Sequence, residues 1–153
     1  MNILKSNSAC RQPKSRGALN VLVVDDDPIS VALIATVLGK LGITNVTTAT
    51  GGEAALRVLE KRHTSIDLML TDLHMPGIDG FEFMASAAKL GFEGAVIIVS
   101  GQNQEVVHSA SLIAQLRRIN LLGTVQKPVT KEALSRLIPC RSERDFQPAN
   151  GHP

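Results

Sequence analysis

Tryptophan and tyrosine are absent from this 153-residue chain, and four phenylalanines bring its aromatic content to only 3%. With 44% hydrophobic residues the sequence is still globular, so the core must be aliphatic, as in sheets covered by helices. No apolar run is long enough to span a bilayer, and the N-terminus lacks the apolar segment of a signal peptide. Cysteine is nearly absent too: Cys10 and Cys140 stand near opposite ends. That is no disulfide framework, and it points to a reduced, cytoplasmic protein. The four histidines, His63, His74, His108 and His152, show no metal-ligand spacing, which argues against a zinc site.

Basic residues outnumber acidic ones, 16 to 14, but the excess is confined to the ends. Lys5, Arg11, Lys14, Arg16, Arg141 and Arg144 lie outside residues 20–138, against only Glu143 and Asp145, so the body is slightly acidic and the ends are basic. The isoelectric point near 8.7 therefore belongs to the flanks and gives no support for nucleic-acid binding. Residues 1–18 and 140–153 are expected to be flexible flanks around a domain at 19–139.

Within that body, apolar runs and helical patterns alternate. Strands are predicted at Asn20–Val24, Asn45–Ala49, Ile66–Thr71, Ala95–Val99 and Leu121–Gln126. Pro28 suits the first turn of a helix running to Lys40, where Gly42 stops it. Thr50 with Glu53 reads as a capping box for a helix to Arg62, and Asp79 with Glu82 as a similar device for one to Lys89. A longer helix is expected over Gln104–Ile119, and Thr130 caps a last one through Leu137. Five strands alternating with five helices make an α/β, doubly wound parallel sheet with right-handed crossovers.

Such sheets bind ligands beyond the carboxyl ends of their strands. Asp25, Asp26 and Asp27 follow the first apolar run; Asp72 ends the third, Ser100 the fourth and Lys127 the fifth. Each has an ordinary explanation taken singly: a solvated acidic turn before a helix, a turn residue, a helix cap, a surface charge. Together they would crowd one rim. Clustered carboxylates repel one another and resist desolvation, and a hard cation such as Mg2+ removes that problem by taking oxygen ligands.

The motifs VLVVDDDP (21–28), LMLTDLHMPGIDG (68–80), VIIVSG (96–101) and GTVQKP (123–128) resemble those of the receiver domain of two-component response regulators. The resemblance implies a flavodoxin-like sheet of order 2-1-3-4-5. It implies that Asp72 is the phosphoacceptor, taking a phosphoryl group from a sensor histidine kinase or phosphotransfer protein. Asp26 would bind Mg2+ directly, Asp25 would bind it through water or assist, and Asp72 and the His74 backbone carbonyl would complete the ligands. Lys127 would pair with a phosphoryl oxygen and Ser100 would hydrogen-bond it. The domain would then be a switch rather than an enzyme, without direct contact to nucleic acid or membrane. Its output would be a docking domain or a second copy on the face of the fourth helix, fifth strand and fifth helix, with Leu112, Leu116 or Leu121 contributing where exposed.

Two departures from the family stand out. Thr124 replaces the aromatic expected three residues before Lys127, and Val106–Asn120 lengthens the fourth helix. That stretch, with LLGTVQKPVTKEAL, also resembles receivers joined to EAL-class cyclic-di-GMP phosphodiesterase domains. The alternatives are a receiver that binds partners without phosphorylation, or a haloacid-dehalogenase-like phosphatase using Asp25 and Asp27 as nucleophile and acid.

Overall fold

The computed structural model describes residues 15–138 apart from 79, 102–107, 110, 114, 116 and 117. Five strands, β1 (Asn20–Val24), β2 (Asn45–Ala49), β3 (Leu68–Thr71), β4 (Ala95–Ser100) and β5 (Asn120–Gln126), form one parallel sheet. Their order is β2-β1-β3-β4-β5. Helices α1 (Pro28–Lys40), α2 (Gly52–Arg62) and α3 (Gly80–Lys89) fill the first crossovers, and α5 (Lys131–Leu137) follows β5. Between β4 and β5 the described residues at 108, 109, 111–113 and 115 are helical and belong to α4. The family-like order 2-1-3-4-5 is therefore the observed one.

Alternation along the strands sorts the core into two layers. Val21, Val23, Leu68, Leu70, Ile97, Val99 and Val125 face α1 and α5, where Ile34, Leu38 and Leu134 meet them. Leu22, Val24, Met69, Val96 and Ile98 face α2 and α3, against Ala55, Leu59, Phe83 and Met84. The three inner strands β1, β3 and β4 are buried almost throughout and carry their polar residues at the rims, and all five strands run toward the same one.

Local chemistry set several ends, those at Pro28, Gly42 and Thr130 as expected. Asp27 caps α1, its Oδ1 accepting from Ile29 N at 3.0 Å, Pro28 occupies the first turn, and Gly42 follows in the left-handed region at φ +87°. Thr130 Oγ1 accepts from Ala133 N at 3.1 Å to start α5.

Other expectations need correction. The Thr50–Glu53 capping box does not form: Gly51 is the N-cap at φ +118°, without a side-chain cap bond. The helix starts at Gly52, where a Cβ would sit 2.4 Å from Ile78 Cγ2, a closeness that only glycine permits. Ile66 is buried but lies before β3, its N–H donating to Arg62 O at 3.1 Å in the turn ending α2. The fourth helix does not reach Ile119, since Arg118 takes φ +60° and donates to Gln115 O. β4 extends one residue past expectation because Ser100 pairs with Gln126, and β5 starts at Asn120 opposite Ala95. Cys10, Asp79, the helix start at Gln104, Leu116 and Cys140 lie outside the described residues. Among those described, no helix is long and apolar enough to cross a membrane.

Candidate metal centre

Asp25 and Asp72 are fixed by main-chain bonds that continue the ladder. Asp25 N donates to Ala49 O at 3.2 Å, and Asp72 N to Val24 O at 3.1 Å. Lys127 N donates to Ser100 O at 3.0 Å, so the ends of β4 and β5 stay in register. The parallel topology thus delivers residues from four strand ends to one rim.

Asp25 and Asp72 are buried, with 1% and 6% of their surface exposed, while Asp26 is exposed. One carboxylate oxygen from each lies within 4.8 Å of the others. Asp25 Oδ1 accepts from Asp27 N at 3.0 Å. Asp72 Oδ1 accepts from Leu73 N at 2.7 Å and His74 N at 3.3 Å, which fixes the plane of the carboxylate. The two remaining oxygens share one cation: Lys127 Nζ donates to Asp25 Oδ2 at 2.8 Å and to Asp72 Oδ2 at 3.2 Å.

One ammonium among three carboxylates leaves an excess of negative charge. Partial desolvation lifts the Asp26 carboxyl above its ordinary pKa, and the hydrogen bond and charge of Asp25 and the charge of Asp72 add to it. At Lys127 burial is the largest influence and opposes the charged form. The hydrogen bond to Asp25 and the charges of Asp72 and Asp25 together outweigh it, so its pKa lies above that of a free lysine. Three hard oxygen donors with surplus charge, one of them open to solvent, suit a divalent cation of the Mg2+ class.

The neighbours of Asp72 pack tightly. Thr71 is buried and its Oγ1 donates to Asp72 O at 3.0 Å. A Cβ on Gly80 would stand 2.6 Å from Leu73 Cα and 2.7 Å from Asp72 O, so glycine lets α3 begin directly beneath the Asp72 loop. Gly77 turns at φ +88°. Ser100 is buried at the end of β4, and the side chain of His74 is exposed.

Asp27 stands apart from this cluster. Its carboxylate is engaged by Ile29 N and by Ser30 Oγ, at 3.0 and 3.3 Å, which leaves the dehalogenase-like reading without its acid.

Sequence reasoning missed an apolar surface beside the carboxylates. A cavity of about 280 Å³ is lined by Ser30, Leu33, Ile34, Lys127, Pro128 and Val129. Next to it Ile29 is 77% and Leu33 44% exposed. The only signal was that α1 is apolar nearly all round, which a helix burying one face does not need.

The family model for the response regulator receiver domain matches residues 21–138. The sensor histidine kinase RcsC of Escherichia coli is 35% identical over 127 residues, covering 81% of this chain and 12% of the kinase. The cyclic di-GMP phosphodiesterase RocR of Pseudomonas aeruginosa is 29% identical over 120 residues, 78% of this chain and 30% of that protein. A response regulator receiver domain protein from Clostridium thermocellum, solved by crystallography, matches with a TM-score of 0.67 at 28% identity, covering 78% of this chain and 90% of that one. The chain thus spans a small part of the length of these two curated relatives.

Proposed function

This chain belongs to the response regulator receiver domain family, and we propose that its switch is the phosphorylation of Asp72. The observation that carries the reading is the single Lys127 ammonium shared by Asp25 and Asp72 with Asp26 alongside. Nothing in folding calls for that concentration of charge, whereas phosphoryl transfer needs positioning and neutralisation.

In this reading an Asp72 carboxylate oxygen attacks the phosphorus of a phosphohistidine. The phosphorus–nitrogen bond breaks, its electron pair returns to the imidazole, and an acyl phosphate forms. Asp72 needs no base because a carboxylate is already ionised at neutral pH. The N–H groups of Leu73 and His74 keep it oriented. Lys127 stays within reach of the phosphoryl oxygens and offsets their charge, and Ser100 offers a hydroxyl to one of them. Asp25, Asp26, Asp72 and the His74 carbonyl would hold Mg2+, which when bound supplies positive charge beside the transferring oxygens.

The donor is a sensor histidine kinase or a phosphotransfer protein, met in the cytoplasm. Ile29, Leu33 and the cavity reaching Lys127 offer it an apolar docking surface continuous with the site. The output face is α4, β5 and α5, where Leu112 is 47% exposed and Thr124 is exposed. The likeness to segments of both RcsC and RocR supports no single attached output, so the reading stops at a docking face. Residues 19–139 are proposed as the domain, with the rest as flanks.

Acetyl phosphate with Mg2+, read by intact mass, tests this. Asp72→Asn should abolish uptake and Asp26→Ala its metal dependence; equal uptake by Asp72→Asn would refute the assignment. Ile29→Ser with Leu33→Ser should slow transfer from a phosphohistidine protein while leaving uptake from acetyl phosphate unchanged.

A further inference from the structure

The last helix is too short to be stable by itself. α5 has seven residues, about 10 Å of helix, whereas isolated helices need roughly twice that length or more. Its start is secured by Thr130, and its middle by Leu134, which is fully buried. Its end is secured from the other terminus of the chain. Ahead of β1, Arg16–Ala18 form a 3-10 turn. From there Arg16 Nη2 donates to Ser135 O at 3.2 Å, to Ser135 Oγ at 3.4 Å and to Ile138 O at 3.1 Å. A guanidinium on the last carbonyls of a helix satisfies acceptors that have no partner within it and complements its negative end.

The near end of α5 leads to the carboxylate rim, and its far end packs on β5, the strand that carries Lys127. At the far end Leu137 packs against Gly123 of β5, where even a Cβ would come within 2.8 Å of Leu137 Cδ2. At the near end only Pro128, Val129 and Thr130 separate the helix from Lys127, and Val129 is buried. Arg16 also gives something up to sit there: its Nε is buried with no hydrogen-bond partner among the described residues, an unfavourable state that the other three bonds must offset. Arg16 precedes the residues matched by the family model, which begin at 21, so this clasp belongs to the chain's own N-terminal flank.

We propose that Arg16 is a positioning residue for Lys127, acting through α5. By holding the helix end on β5, it fixes the segment that places the Lys127 ammonium between Asp25 and Asp72. A binding event that captures the N-terminal flank and draws Arg16 away would free α5 and loosen Lys127 without touching the carboxylates. This rests on the assignment of Lys127 to phosphoryl neutralisation.

The test uses the full chain as wild type, Arg16→Ala, Arg16→Lys, Lys127→Ala and the double variant Arg16→Ala/Lys127→Ala. Uptake from acetyl phosphate with Mg2+ is followed by intact mass, and amide exchange by segment. Arg16→Ala should slow uptake about threefold to tenfold and speed exchange at 134–138 by about tenfold or more, with β1 and β3 unaffected. Arg16→Lys, which keeps a cation in reach, should recover most of the uptake. In the Lys127→Ala background Arg16→Ala should add nothing, because the two act in series. Additive losses, or faster exchange spread evenly over the domain, would make Arg16 a general stabiliser and overturn the proposal. Normal uptake by Arg16→Ala overturns it alone; absence of uptake in the wild type instead sinks the reading of Asp72 on which it rests. Arg16→Gln repeats the comparison if Arg16→Ala does not fold.

Discussion

Removing the Lys127 ammonium should destabilise the protein, and a divalent cation should put much of that stability back. Lys127 Nζ lies 2.8 Å from Asp25 Oδ2 and 3.2 Å from Asp72 Oδ2. At an effective dielectric near 20 the two attractions are worth about 6 and about 5 kcal/mol. Most of that is cancelled by desolvation of the three charges, so the gross figures are not the net effect. Deleting one partner of a buried pair costs about 3–5 kcal/mol, because the other charge stays buried and unpaired. Here 28% of the lysine side chain is exposed, so water enters the vacated space and about 2–3 kcal/mol is the expected loss. In a domain of this size Lys127→Ala should then melt roughly 5–12 °C lower in the presence of a chelator. Mg2+ at about a hundred times its dissociation constant returns about 2.7 kcal/mol, and it should bind the variant more tightly because no ammonium repels it. Circular dichroism melts over a Mg2+ series measure both effects; intrinsic fluorescence is unsuitable, since there is no tryptophan or tyrosine. If Lys127→Ala melts with the wild type in chelator, or gains less from Mg2+, then the ammonium is not what balances these carboxylates.

Asp26→Asn should act in the opposite sense, raising the metal-free melting temperature by about 1–3 °C as one like charge is removed, while the Mg2+-dependent rise disappears. Gly80→Ala should cost about 2–3 kcal/mol in chemical denaturation and slow phosphoryl uptake, because the new methyl meets the backbone of Asp72 and Leu73 rather than a side chain that can move. Asp27→Ala should lose about 1 kcal/mol of stability with the α1 cap and leave uptake from acetyl phosphate at the wild-type rate; slower uptake would place Asp27 in the chemistry.

How much was legible in the sequence depended on the range of the interaction. Ends set within a few residues were readable: Asp27 and Pro28 opened α1, Gly42 closed it, and Thr130 opened α5. Ends set by distant neighbours were not. Thr50 and Glu53 carry the right side chains for a capping box, yet Ile78 crowds Gly52 and Gly51 turns the chain instead. Ile66 looked like strand because burial and strand leave the same apolar mark. The site was legible because the fold makes a one-dimensional feature three-dimensional: each first polar residue after a buried parallel strand must lie on the same rim. Which oxygen faces which donor was not, nor was Arg16, whose partners stand 119 and 122 positions away. The exposure of Ile29 and Leu33 was hidden by their similarity to Ile34 and Leu38, which are buried.

The replacement of an aromatic by Thr124 bears on how a change at Asp72 would leave the site. Thr124 is exposed and small, so it has no ring to move between a pocket and solvent. Lys127 is different, because it serves two carboxylates at once. On the proposed reading, a phosphoryl group on Asp72 adds oxygens and charge where only one carboxylate oxygen stood, and the ammonium must redistribute between it and Asp25. Lys127 is joined to Ser100 by a main-chain bond and to α5 through three residues. Any shift therefore falls on β5 and α5 as a strain in packing, for which the β-bulge opposite Val96 and Ile97 and the close fit of Leu137 on Gly123 are the points of least slack. A ligand shifts only those states that it contacts differently. On the proposed reading the difference in contact is made by a backbone-anchored lysine, a route that uses no aromatic ring.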